Sequence, residues 1–306
     1  MRFLLLFALP FLAQQMLAQQ KQIAITIDDL PCAGGCRSLS EMQAITARIT
    51  TALKGTPTIG FVNEIGLQVQ GERDARVQLL QLWLDAGLTL GNHTYSHPDP
   101  NKIPLDQYTD DIARGEVVTR ALVEGRGLKL RYFRHPYTHT GPTAEYKQGL
   151  EKFLTSRGYE IAPFTLENSD YIWALVHRRA VERKDLETAG RVRKEYVEHL
   201  GISLQAAEQI SRKMFQREIP QILLMHASLL NSEALPEMLR LFRDQGYKVI
   251  QLEAALQDPA YRTPDLFVGD FGPSWFERWG IALHIPHPSH AEPPLPDWIL
   301  KAYRNR

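Results

Sequence analysis

The sequence predicts a single-domain α/β fold in which helices surround a parallel sheet. Short apolar runs alternate along the chain with longer stretches in which apolar residues recur at helical spacing. The 306 residues are also enough to bury one large core. Seven strands and the helices between them fit either a barrel or an open doubly wound sheet, and the pattern alone leaves both open.

The first element is an apolar segment at the N-terminus. Arg2 is followed by an apolar run over residues 3–13 and by a small residue, Ala18, which is typical of a secretory signal peptide. The run is too short to span a membrane, and a buried N-terminal helix is the alternative. We therefore expect residues 1–19 to be removed, leaving a periplasmic or secreted protein without a membrane span.

The seven expected strands are short and mostly apolar, as strands buried on both faces are. They cover residues 22–28, 58–63, 88–93, 131–137, 161–166, 221–227 and 247–252.

The clearest helical spacing lies at 76–84 and 232–243, with Ser232 as the expected N-cap of the second helix. The charged stretch 174–215 predicts two solvated helices that are broken near 201–203. Beyond residue 257 the chain is rich in proline and aromatic residues, with no strand or helix of note until its end. We therefore expect a catalytic domain at 20–256 and a C-terminal extension, 257–306, packed onto it through Trp275 and its aromatic neighbours.

Charge and cysteine content narrow the classes of partner and chemistry. Lys plus Arg and Asp plus Glu both number 35, so nucleic acid is disfavoured as a partner, and a neutral glycan or small molecule fits better. The composition carries no signal for an oligomeric state. The only cysteines, Cys32 and Cys36, flank two glycines and predict a local disulfide. A thiol zinc site is the weaker alternative, because no second pair has finger-like spacing.

Ionisable residues follow several strands at their carboxyl ends, where functional side chains collect in parallel α/β folds. Asp28 and Asp29 end the first strand, and His93 and His97 follow the third. The two histidines would share one face if the segment formed a helical turn, and with Asp29 they would make an open catalytic metal site. Helix capping or an accidental pairing of histidines is the structural alternative.

Three further strand ends carry candidates for acid–base chemistry. Arg134 ends the fourth strand and needs a counter-charge, for which Asp28 is available. Asp170 follows the fifth strand beside aromatic residues. His226 ends the apolar sixth strand as a candidate acid or base, although a hydrogen-bonded core histidine is an equal alternative.

Taken in order, these motifs resemble the five signatures of the polysaccharide deacetylases, also called NodB-homology proteins or family 4 carbohydrate esterases. The resemblance covers about residues 21–255 and implies a distorted (β/α)7 barrel. The motifs are Thr26-Ile27-Asp28-Asp29-Leu30-Pro31 for TFDDGP, His93 to Pro98 for HxxSHP, Arg134-His135-Pro136-Tyr137 for RxPY, Asp170 with Trp173 loosely for the Asp/Trp signature, and Leu224-Met225-His226 for LxH.

The resemblance also implies roles for these residues. Asp29, His93 and His97 would bind a divalent metal, with zinc expected and cobalt or nickel as alternatives. Asp28 would be the general base, kept ionised by Arg134, and the backbone N–H of Tyr137 would stabilise the oxyanion. His226, held by Asp170, would be the general acid. The implied activity is removal of N-acetyl or O-acetyl groups from an acetylated carbohydrate, such as an envelope polysaccharide or chito-oligosaccharide.

Two other functions remain open, and some residues depart from the family pattern. The same site could hydrolyse a small or cyclic amide, or the chain could be an inactive glycan-binding relative. Leu30 stands where glycine is usual and could narrow the site, and His135 replaces a small residue or proline. His284, His287 and His290 could suggest a second metal site, but the intervening prolines favour a solvated loop.

Overall fold

A computed structural model describes residues 20–285 and 293–305, and it contains one sheet of seven parallel strands. The strand order is β5-β4-β3-β2-β1-β6, and β7 pairs with the start of β1. The strands are β1 (Lys21–Leu30), β2 (Thr58–Val62), β3 (Thr89–Asn92), β4 (Tyr132–Phe133), β5 (Glu160–Ile161), β6 (Gln221–His226) and β7 (Tyr247–Val249).

The sheet curls until its two ends approach each other. Beyond β5, Leu166 forms a parallel bridge with Leu223 of β6, so the chain leaving one end of the sheet contacts the other end. An open doubly wound sheet has no such contact. The predicted α/β barrel is therefore confirmed, in a distorted form, and the open-sheet alternative is wrong.

Helices cover the outside of this sheet. Each residue of β2 is buried, and β6 is buried from Gln221 to Met225, as expected of strands covered on both faces. The helices are α1 (Leu39–Ala52), α2 (Arg73–Asp85), α3 (Leu105–Arg114), α4 (Val117–Glu124), α5 (Ala144–Ser156), α6 (Asp170–Glu182), α7 (Leu186–Phe215), α8 (Leu229–Asp244), α9 (Leu252–Leu256), α10 (Trp275–Ala282) and α11 (Asp297–Arg304).

The predicted break at 201–203 is wrong. Helix α7 runs unbroken for 30 residues, and the interruption lies before it, where Asp185 caps its start. Gly201 lies on the buried face of this helix, and a Cβ there would lie 3.5 Å from Leu241 of α8, an ordinary van der Waals contact. Nor is the stretch solvated, since one face of α7 is buried from Ala189 to Met214.

Two further helix assignments also need correction. Helix α8 starts three residues before the predicted cap, because the Ser228 hydroxyl accepts the Asn231 N–H while Ser232 is buried inside the helix. The C-terminal extension contains α10, although no such helix was expected before the end. Trp275, Phe276 and Trp279 of α10 are buried in the core, which confirms that they pack the extension onto the domain.

The two cysteines form the expected disulfide. Cys32 and Cys36 are bonded, with their Cα atoms 6.3 Å apart. We predict that protein from an oxidising compartment shows no free thiol when it is denatured and titrated. Two titratable thiols per chain would contradict the bridge, and Cys32→Ser should leave metal binding intact because the metal candidates include no sulfur.

No helix within the described residues is long and apolar enough to cross a membrane. The segment interpreted as a signal peptide, 1–19, lies outside those residues.

Candidate active site

A cavity of about 780 Å³ opens at the carboxyl ends of the strands. Seven of the eight residues singled out from the sequence line it: Asp28, Asp29, His93, His97, Tyr137, Asp170 and His226. The eighth, Arg134, is buried beside Asp28, 3.5 Å from its carboxylate. The structure therefore brings all the predicted site residues together.

Asp29, His93 and His97 converge on one point. Oδ1 of Asp29 lies 3.5 Å from Nε2 of each histidine, and the three candidate ligand atoms lie within 4.8 Å of one another. Nδ1 of His93 lies 2.8 Å from the carbonyl oxygen of Arg134 and donates its proton there, which leaves the Nε2 lone pair facing the cluster. Burial lowers the pKa of His93 to about 3, so the ring is neutral. This donor set fits a divalent cation.

The sequence suggested that a helical turn brings the two histidines together, and the structure shows that it does not. Residues 93–97 form an irregular turn in which Thr94 and His97 have left-handed backbones, with φ of 70° and 58°. The Asp111 carboxylate accepts the N–H groups of Tyr95 and Ser96 and so fixes this turn. Left-handed non-glycine residues each cost about 1–3 kcal/mol and cluster at functional sites.

Adjacent carboxylates point to different partners because the backbone changes direction between them. Asp29 has a left-handed φ of 64° and belongs to the metal cluster. Asp28 is the last residue of β1 that pairs with β6, and its partner there is His226. Oδ2 of Asp28 lies 3.5 Å from Nη1 of Arg134, whose Nη2 donates to the Thr26 hydroxyl at 2.9 Å. The predicted ion pair is therefore present.

Burial, however, acts against ionisation of Asp28. The side chain is almost completely buried, and this burial raises its pKa above the usual value, with Arg134 only partly offsetting the effect. Arg134 acts in the expected direction, since its charge lowers the pKa of Asp28, but burial has the larger effect. A carboxylate with a raised pKa is a stronger base, which suits a group that accepts a proton from water.

His226 and Asp170 form a charged pair in the same cavity. Nδ1 of His226 lies 2.7 Å from Oδ1 of Asp170, and Oδ2 of Asp170 accepts the His226 N–H at 2.8 Å. Burial lowers the pKa of His226, but the charge and hydrogen bond of Asp170 outweigh it and raise the pKa to about 10. His226 therefore carries a proton at neutral pH, as a general acid must.

Two residues that hold this pair were missed from the sequence. Asn231 of α8 donates to Asp170 and to the carbonyl oxygen of His226, and the Tyr196 hydroxyl donates to Asn231 at 2.7 Å. Neither residue lies in a recognisable motif, since Tyr196 reaches the site only because α7 packs on α8. Asn231 orients the Asp170 carboxylate by donating to it, and Tyr196 in turn holds Asn231 in place.

Aromatic side chains surround the opening of the cavity. Within residues 20–285 and 293–305, only Tyr137, Tyr171 and Phe271 are exposed aromatic residues, and all three line this cavity. Tyr137 also packs edge-on against the ring of His97, with centroids 4.7 Å apart. Tyr171 could have been suspected from its place beside Asp170, whereas nothing in the sequence around Phe271 marked it as a site residue.

The remaining unusual residues do not belong to the metal cluster. Leu30 is buried in the core and does not line the cavity, so it does not narrow the site. His135 is buried against Phe133 and lines the cavity. His284 is exposed and belongs to no metal-ligand group among the described residues, while His287 and His290 lie outside them.

Residues 17–159 match the family model of the polysaccharide deacetylases. The matched segment is just under half of the chain, and over it the chain resembles the polysaccharide deacetylases. The segment holds the two aspartates, the two histidines of the metal cluster and the Arg134–Tyr137 motif. Asp170 and His226 lie beyond it, so their place in the site rests on the geometry described above.

Individual relatives of the chain are distant. A peptidoglycan-N-acetylglucosamine deacetylase of Bacillus cereus is 28% identical over 85 residues, which is 28% of this chain and 28% of that protein. The match therefore spans little more than a quarter of the curated relative.

Solved structures resemble the chain in fold. A chitin deacetylase of the fungus Colletotrichum lindemuthianum matches with a TM-score of 0.52 and 21% identity, over 79% of this chain and 91% of that one. A carbohydrate esterase family 4 pseudoenzyme from Bacillus anthracis has a TM-score of 0.49 and 18% identity, over 78% of this chain and 66% of that one.

Proposed function

We propose that this protein is a metal-dependent hydrolase that removes acetyl groups, N-acetyl or O-acetyl, from a carbohydrate. One observation carries the proposal. A metal-ligand cluster, a buried carboxylate and a protonated histidine face the same cavity, and the carboxylate and histidine are register partners on neighbouring strands β1 and β6. That combination is the one required for hydrolysis of an acyl group by activated water.

Asp29, His93 and His97 would hold the cation. Two imidazoles and one carboxylate with open positions suit zinc, and cobalt or nickel are the alternatives. Such an ion supplies Lewis-acid chemistry, because it lowers the pKa of a water molecule and polarises an acyl oxygen.

The protein groups supply the proton transfers. Asp28 accepts a proton from the attacking water, and Arg134 holds its carboxylate in place. The backbone N–H of Tyr137, at the edge of the cavity, stabilises negative charge on the acyl oxygen. His226 donates its proton to the leaving amine or alcohol, and Asp170 keeps the imidazole oriented for this transfer.

A carbohydrate is the substrate class that fits the opening best. Exposed Tyr137, Tyr171 and Phe271 present aromatic faces to the cavity, and sugar rings carry apolar C–H faces that pack well on such surfaces. The B. cereus relative is named for acting on peptidoglycan N-acetylglucosamine, and this chain would act on a comparable acetylated glycan. The apolar segment at 3–13 would direct it out of the cytoplasm.

The cavity also bears on the two alternatives. A small or cyclic amide would occupy little of a space of about 780 Å³ and would leave the aromatic opening without a partner. An inactive binding protein would need neither the Asp28 carboxylate nor the Asp170–His226 pair, yet both line the same cavity as the metal cluster.

Release of acetate from a set of matched substrates tests the proposal. N-acetylated chito-oligosaccharides, O-acetylated xylo-oligosaccharides and small amides should be compared at equal concentrations of acyl groups. We expect release from at least one acetylated oligosaccharide and little from the small amides. Hydrolysis confined to the small amides would favour the amidase alternative, and no hydrolysis by metal-loaded protein would favour the binding protein.

A further inference from the structure

The turn that carries Tyr137 is held in a costly conformation by the C-terminal extension. Tyr137 and Thr138 are consecutive non-glycine residues with left-handed backbones, at φ of 54° and 55°. Such a pair persists only where surrounding contacts fix it. The turn has its own backbone hydrogen bonds, from Thr138 to His135 and from His139 to Pro136. Further contacts come from residues 265–278, a segment beyond the part of the chain that matches the family model.

Arg278 makes the strongest of these contacts. Its side chain is 0% exposed, and Nη2 donates to the carbonyl oxygen of Thr138 at 2.6 Å. The other nitrogens are also engaged, with Nε donating to the Pro273 carbonyl oxygen and Nη1 pairing with Asp265. The guanidinium is thus fixed in position before it meets the turn.

Gly272 forms the second contact, by close approach of backbones. Its carbonyl oxygen lies 2.7 Å from the Thr138 hydroxyl. A Cβ on Gly272 would lie 1.7 Å from that hydroxyl oxygen and 2.1 Å from the carbonyl oxygen of Tyr137. Only glycine therefore lets the extension lie against the turn.

The extension is itself anchored to the domain. Nζ of Lys147 on α5 donates to the carbonyl oxygens of Asp265 and Phe267 and pairs with the Asp265 carboxylate at 2.9 Å. The Trp275 N–H donates to the Phe164 carbonyl oxygen beside the sheet. The segment is therefore fastened at both ends to the rest of the domain.

We infer that residues 265–278 are part of the active site, with Arg278 and Gly272 as positioning residues that hold Tyr137 against His97. The role in catalysis rests on the proposed deacetylase function. The stabilisation of the turn by Arg278 and Gly272, called the hold below, does not. Without the hold, Tyr137 and Thr138 relax to right-handed or extended backbones, and the Tyr137 N–H and ring leave the metal cluster.

Limited proteolysis of the full-length protein tests the hold without any substrate. Chymotrypsin cleaves after exposed tyrosines, and Tyr137 and Tyr171 are similarly exposed, at 55% and 51%. We expect Arg278→Met and Gly272→Ala to accelerate cleavage after Tyr137 by about tenfold or more, since release of a strained turn shifts its population by such factors. Cleavage after Tyr171 should stay at the wild-type rate in both variants. The control is Arg262→Met, which changes an exposed arginine of the same extension and should leave the cleavage rates at both tyrosines unchanged.

Kinetics on an acetylated oligosaccharide test the catalytic consequence. Both variants should keep one bound zinc per chain and a nearly unchanged KM, while kcat falls by about 10²-fold, as when an oxyanion donor is displaced. Arg278→Lys should recover part of kcat, because its ammonium can still donate to the Thr138 carbonyl oxygen.

The two proposals fail in different ways. Gly272→Ala removes no hydrogen-bonding group. If this variant is cleaved after Tyr137 at the same rate as the wild-type protein, the inference is overturned, even if Arg278→Met fails to fold. Faster cleavage with unchanged kcat would also overturn the catalytic role. No acetate release by the wild-type protein would instead reject the proposed function and leave the hold to be decided by proteolysis.

Discussion

Replacing His226 by alanine should slow hydrolysis of a natural acetamide by about 10²–10⁴-fold and leave hydrolysis of an activated aryl acetate nearly unchanged. The reason is the leaving group. An amine must be protonated as it departs, and His226, which Asp170 keeps protonated, is the donor. A phenolate departs without a proton. Steady-state rates on an N-acetylated oligosaccharide and on 4-nitrophenyl acetate give the comparison.

Asp28→Asn is the matched variant for this test. It removes the group that accepts the proton of water, so both substrates should slow by about 10²–10⁴-fold. Zinc content should stay at one per chain, because the ligand is Asp29 rather than its neighbour. Equal damage to both substrates in His226→Ala, together with a harmless Asp28→Asn, would show that the acid and base have been assigned the wrong way round.

Loss of a metal ligand should have the other large effect. His93→Ala removes one of three candidate ligands, and its ring is also buried and held by the Arg134 carbonyl oxygen. We expect zinc to be lost on dialysis and acetate release to fall below detection, because two ligands in an open site do not retain the ion. Elemental analysis of dialysed protein and an acetate assay measure the two effects.

Two controls separate ligand loss from general damage. His284→Ala changes an exposed histidine outside the cluster and should keep full zinc and full activity. Asp29→Asn should weaken zinc binding. Added metal should partly restore activity, because the amide oxygen of asparagine can still bind the ion, although more weakly than a carboxylate does. Full zinc occupancy in His93→Ala would contradict the proposed ligand set.

The position of the site residues at the carboxyl ends of the strands was predictable from the sequence. Apolar runs mark buried parallel strands, and the carboxyl ends of such strands meet at one edge of the sheet. Asp28 and His226 are far apart in sequence, yet their register makes them neighbours, as the positions at their strand ends suggested. The resemblance to a family then assigned them distinct roles, which periodicity could not do.

Other features depend on tertiary contacts that cannot be predicted from local sequence patterns. Gly201 resembles a helix breaker, but it lies on the buried face of α7, near Leu241 of α8. Arg278 resembles a surface arginine of a proline-rich tail, although it is completely buried beside the Tyr137 turn. His97 reaches the metal cluster through a left-handed residue, where a helical turn was expected. Each of these depends on residues distant along the chain.

Acetate release from N-acetylated chitopentaose, before and after removal of metal, is the most direct test of a metal-dependent deacetylase. Protein stripped by a chelator should release no acetate. Activity should return in proportion to added zinc and reach its maximum at one ion per chain, as expected for the single Asp29–His93–His97 cluster among the described residues. Undiminished release by metal-free protein, or no release by protein that holds one zinc per chain on any acetylated glycan tested, would contradict it.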